Sequence, residues 1–80
     1  MNSVKIVGST KATTHASPAA ISFNEHRQKL LINGPATGTA GTYTLGGGAA
    51  LTIAAGTTVV LDGYVGAATS ANSAQLVELE

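Results

Sequence analysis

The 80-residue chain contains no cysteine and no tryptophan, and only 4% of it is aromatic. Without cysteine there is no disulfide to brace a small domain, and no thiolate to bind a metal or attack a substrate. The same absence fits synthesis in a reducing compartment. Charge is equally sparse. Four Lys and Arg against four Asp and Glu give a formal net charge of zero, and charged residues make up 10% of the chain, against about 25% in an average soluble domain. Nucleic-acid binding through phosphates needs a basic patch, so no nucleic-acid partner is expected. A disordered tail combines low hydrophobicity with high net charge, and this chain has neither. No apolar run approaches the roughly 18 residues of a membrane span, and the start MNSVKIVGSTK has no apolar signal core. Neither a membrane partner nor secretion through a signal peptide is expected.

What is present centres on Thr39 to Gly66, TAGTYTLGGGAALTIAAGTTVVLDGYVG. In Thr42-Tyr43-Thr44-Leu45 and Leu51-Thr52-Ile53, threonine alternates with a large side chain, and Thr57 to Val60 is β-branched throughout. Alternation with period two in short pieces predicts half-buried strands. Gly46-Gly47-Gly48, Ala55-Gly56 and Asp62-Gly63 supply the reversals between them.

Ser3 to Gly8 reads as a first strand, and Ser9 to Pro18, which has no large apolar residue, as an extended arm or loop. Ala19 to Phe23 is a short strand with Ile21 and Phe23 in register, followed by a polar turn at Asn24 to Arg27. Lys29 to Asn33 is a strand whose run Leu30-Leu31-Ile32 must point large apolar groups to both faces. Asn33-Gly34-Pro35 ends it, because proline cannot donate to a ladder. Ala67 to Ser73 is a second small-residue stretch, and Ala74 to Glu80 reads as a final edge strand protected by its glutamates. No segment has helical periodicity. The expectation is a single all-β domain over residues 1–80: a small β-sandwich or barrel of at least six short antiparallel strands. Residues 1–18 form its N-terminal strand and extended arm, and 19–80 its core, with Ile53, Val59 and Leu61 inside.

The residues carry little chemistry. His15 and His26 have no further ligands at metal-site spacing and read as surface loop histidines. Ser22, Glu25 and His26 are sequence neighbours on a turn, where side chains do not converge as a triad requires. Gly46-Gly47-Gly48 lacks the Lys and the following helix of a phosphate loop. Tyr43 and Tyr64 are either packing residues or a stacking platform for a sugar or a base, and the neutral charge speaks against the base. No enzyme activity, cofactor or metal is expected.

The Gly/Ala/Thr-rich strands TAGTYTLGGGAALTIAAGTTVVLDG, the stretches STKATTHASP and AATSANS and the unsignalled start MNSVK together resemble the small virion proteins of tailed bacteriophages, above all capsid decoration or cement proteins. The resemblance is one of composition along the whole chain, and no motif position is carried over. It implies a β-sandwich or small barrel, commonly trimeric, made in the host cytoplasm and seated on the capsid surface, where it bridges major capsid protein subunits without catalysis. Two alternatives stand beside it: a carbohydrate- or peptide-binding β module, and a self-assembling fibre or surface-layer subunit. A small chain without a disulfide and with near-zero charge favours association with copies of itself. Leu30, Leu31 and Ile32 are the interface candidates, and trimer over dimer follows from the resemblance alone. The stretches STKATTHASP and AATSANS are expected to order only against a neighbour.

Overall fold

The computed structural model describes residues 11–80, which build eight strands and no helix. In chain order these are β1 (Ala12–His15), β2 (Ala19–Ile21), β3 (Lys29–Asn33), β4 (Gly41–Leu45), β5 (Leu51–Ile53), β6 (Thr58–Asp62), β7 (Ala68–Ala71) and β8 (Gln75–Leu79). They form two four-stranded sheets of order β1-β8-β3-β6 and β2-β7-β4-β5, with every pairing antiparallel. The fold is therefore the all-β sandwich that the alternating pattern predicts. The expected first strand, Ser3 to Gly8, lies outside the described residues.

The chain changes sheet at nearly every connection. Only β4 and β5 are consecutive strands paired with each other, through the turn at Gly46 and Gly47. Asp62-Gly63, a strong hairpin signal, instead carries the chain from β6 in one sheet to β7 in the other. Gly63 supplies the left-handed backbone for that corner, with φ +81°. Asn33-Gly34-Pro35 makes another crossing. The Gly34 N–H donates to the Thr57 carbonyl at 2.8 Å, and a Cβ on Gly34 would collide with the Ala54 carbonyl.

Register decides which side chains fill the core. Across the first sheet, His15, Leu76, Ile32 and Val59 form one row, and Thr13, Glu78, Leu30 and Leu61 the next. These rows face the second sheet. Leu30, Ile32 and Leu76 are completely enclosed, and from the other sheet Ala19, Ile21, Ile53 and Ala68 meet them. Ile53 lies in the core as expected, while Val59 and Leu61 pack against it half-buried. The cross-strand row Thr14, Val77, Leu31 and Val60 has the opposite parity and faces outward.

Four readings of the sequence are corrected. The arm assigned to Ser9–Pro18 contains β1, whose pairing with β8 extends to reciprocal backbone bonds between Lys11 and Glu80. The stretch Ala67–Ser73 contains β7, a central strand. Strands β1 and β7 find their partners within this chain. Ladder hydrogen bonds are made by backbone, so Thr, Ser and Ala suffice where the partner strands supply the bulk. The third correction concerns β8, which is central, between β1 and β3, and not an edge. The fourth is Phe23, which falls beyond the end of β2 and is 63% exposed.

Candidate functional site

One end of the sandwich is closed by a polar cluster that the sequence does not announce. Glu78 lies in an inward-facing row of a central strand, where an unpaired carboxylate would be costly. Arg27 meets it from the turn between β2 and β3. Its guanidinium is fully buried, and both Nε and Nη2 lie 3.0 Å from Glu78 Oε1. Nη1 donates to the carbonyls of Tyr64 (3.2 Å) and Gly66 (2.8 Å), and Nη2 also to that of Ser22 (2.9 Å). Four of the five N–H donors of the guanidinium are hydrogen-bonded, and the second N–H of Nη2 has only the ion-pair contact with Glu78. The turn that aims Arg27 is local: its N–H donates to the Asn24 carbonyl, and the Asn24 side-chain oxygen accepts from the His26 N–H. Asn24 Nδ2 in turn donates to Glu78 and Glu80, and His15 Nε2 sits 2.7 Å from Glu78 Oε2.

Burial pushes the Glu78 carboxyl up. The hydrogen bonds from His15, Arg27 and Asn24 and the Arg27 charge outweigh that and hold it below its ordinary value. Both carboxylate oxygens are committed to donors, and four guanidinium N–H groups to acceptors. The cluster therefore works as a clamp, tying the β2–β3 turn, the β6–β7 connection and strand β8 together. His15 is corrected by this placement: it is a half-buried strand residue bonded to Glu78, whereas His26 is exposed as a loop histidine should be. The signal that was available for the clamp is Glu78 itself, on the same face of its strand as buried Leu76. An inward carboxylate implies an inward cation, and Arg27 follows a turn that can deliver one.

The other candidate residues separate. Of the interface candidates, Leu30 and Ile32 are wholly enclosed in this chain's own core, and Leu31 alone turns outward, between Val77 and Val60. Tyr43 and Tyr64 both pack against the core. The Tyr64 hydroxyl donates to the Ala67 carbonyl at 2.6 Å, and its ring covers Gly66. Ser22, Glu25 and His26 do not converge: Glu25 meets only His26, on an exposed turn. Among the described residues, no three His, Asp or Glu side chains group as metal ligands, and no pocket opens.

Among the described residues, each Lys and Arg is paired with a carboxylate, and Glu25 has only His26 beside it. Lys11 pairs with Glu80 and Lys29 with Asp62, Glu25 lies 3.7 Å from His26, and Arg27 and Glu78 are paired inside. Between these pairs the described exterior is mostly threonine, alanine, serine and glycine, with Gln28, Asn72 and Gln75 also exposed. On the outer face of the second sheet, Ala20, Thr69 and Thr44 form one cross-strand row, and Ala71, Thr42 and Thr52 another. Large apolar groups reach solvent at Phe23, Leu51 and Val60. Comparison with known proteins returns no matching family model, no matching curated protein and no matching solved structure.

Proposed function

We propose that this chain is a non-catalytic structural module of a virion, of the capsid decoration or cement type. In this reading it sits on the capsid surface as a symmetric homo-oligomer, a trimer, and stabilises the shell through contacts with major capsid protein or another virion protein. The observation that supports it is an exterior sparse in charge, with Val60, Leu51 and Phe23 exposed. Such a surface costs little to desolvate against another protein, since charged groups are the expensive ones to bury. The alternative of a sugar- or peptide-binding module relies on Tyr43 and Tyr64, and both rings are engaged with the core.

The test is co-sedimentation of the purified protein with assembled phage capsid shells, beside a glycan array. Saturable binding at a fixed ratio per capsid subunit, with a raised melting temperature of the shell, is the expected result. Failure to bind shells, or saturable glycan binding instead, would reject the proposal. Growth of the protein alone into polymers that lengthen with concentration would favour the fibre reading.

A further inference from the structure

We infer that the free edge of β6 is the docking site for residues Ser3–Gly8 of a second copy of this chain, added antiparallel as a fifth strand of the first sheet. This deepens the self-association part of the proposed function and rests on it only there; it does not depend on a capsid partner. Among the described residues, β6 pairs only with β3. The bonds from Gly34 N–H to the Thr57 carbonyl and from Gly63 N–H to the Gln28 carbonyl set the alternation of the β3–β6 ladder. The groups of Val59 and Leu61 bond to β3, so the N–H and C=O of Thr58, Val60 and Asp62 point to the open side. The edge TVVLD has no proline, no lysine and no bulge, and its one charge, Asp62, sits at the end of the strand and is paired with Lys29. Val60 is 55% exposed at the end of the outward row that runs from Val77 through Leu31.

The antiparallel register that sets the one charge of Ser3–Gly8 against the one charge of that edge is the register we assign. Lys5 stands opposite Asp62, Ile6 opposite Leu61 and Val7 opposite Val60. Ile6 then extends the inward row, Val7 covers Val60, and Lys5 continues the charge row of Lys29 and Asp62, which are 3.2 Å apart. Opposite charges and apolar pairs facing across strands are each worth about 0.2–1 kcal/mol over alanine. The chain's own copy cannot supply this strand. β1 and an added strand beside β6 are separated by four strand spacings, about 19 Å, whereas the four Cα steps from Val7 to Lys11 reach at most about 14 Å. The edge within its reach is β1, which offers Ala12, Thr13, Thr14 and His15 and no large apolar partner. Donation from copy to copy is head-to-tail, so it closes a ring or runs on as a filament.

Because the chain has no cysteine, introduced thiols are unique. Full-length Lys5→Cys and Asp62→Cys proteins would be mixed and oxidised under native conditions, with Thr69→Cys on the opposite sheet as the control partner. The expected result is a covalent dimer containing one chain of each kind, with none formed between Lys5→Cys and Thr69→Cys. Val60→Pro removes an N–H that points to the open side and is not part of the β3 ladder, so it is expected to keep the strand circular-dichroism spectrum while reducing the light-scattering mass to one chain. Asp62→Lys is a second variant with the same expected loss, restored when combined with Lys5→Asp. A wild-type mass of one chain at all concentrations would overturn both the seam and self-association. An oligomer that survives Val60→Pro and Asp62→Lys without a 5–62 cross-link would overturn the seam alone. A cross-link inside one chain between Lys5→Cys and Thr14→Cys would also overturn it, placing the segment on its own β1.

Discussion

Replacing Arg27 by methionine tests the clamp most directly. Methionine fills much of the same volume and keeps an apolar stem, so the change isolates the guanidinium. The wild-type group makes ion-paired contacts to Glu78 and donates to three carbonyls, with its side chain fully buried. Severing a buried pair by removing one partner costs about 3–5 kcal/mol, because the other charge stays behind uncompensated. The carbonyls of Ser22, Tyr64 and Gly66 lose a donor, and each one that water cannot reach adds about 1 kcal/mol or more. With one to three of these carbonyls kept dry, the sum is about 4–8 kcal/mol. An 80-residue domain has a total stability of roughly 4–12 kcal/mol, so Arg27→Met brings it to the edge of unfolding. Urea denaturation followed by far-ultraviolet circular dichroism at pH 7 reads this as a lower midpoint at unchanged slope. Adding Glu78→Leu removes the stranded carboxylate, and the double variant is expected to be more stable than Arg27→Met by about 1–2 kcal/mol. A single variant within about 0.5 kcal/mol of wild type would refute the clamp. A double variant less stable than the single would refute the stranded charge as the source of the loss.

Three further outcomes follow from named contacts. Glu78 has a folded-state pKa below its unfolded value of about 4.3, so its contribution is present above that value and is lost as pH falls through the lower, folded one; urea midpoints measured down to acid pH should drop there in wild type and much less in Glu78→Gln. Gly34→Ala should destabilise by about 1–3 kcal/mol, because its Cβ meets the Ala54 backbone carbonyl, which cannot step aside, while Gly47→Ala meets nothing and should be neutral or gain up to about 1 kcal/mol in thermal melts. Val59→Asp, on the inward row opposite Ile32, should cost about 3 kcal/mol or more, and an unchanged melting temperature would contradict its placement.

The alternation in TYTL, LTI and TTVVLD establishes an all-β chain and strands β4, β5 and β6, because period-two patterning is a local property of a half-buried ladder. Glycine and Asn-Gly punctuation located the corners for the same reason: the backbone conformations they permit are decided residue by residue. Strands β1 and β7 escaped notice because Thr, Ser and Ala carry no hydrophobic period; only the partner strands β8, β2 and β4 give ATTH and ATSA a ladder to join. Tertiary structure also decided that Leu30 and Ile32 are core and Leu31 surface. An apolar run looks the same from either side until a second sheet covers one face. The Arg27–Glu78 clamp is the clearest case. The two residues are 51 positions apart, and while the place of Glu78 beside Leu76 signals an inward carboxylate, nothing local says which cation meets it. Their pairing exists only because β8 is inserted between β1 and β3, which turns Glu78 inward and leaves Arg27 as the cation within reach.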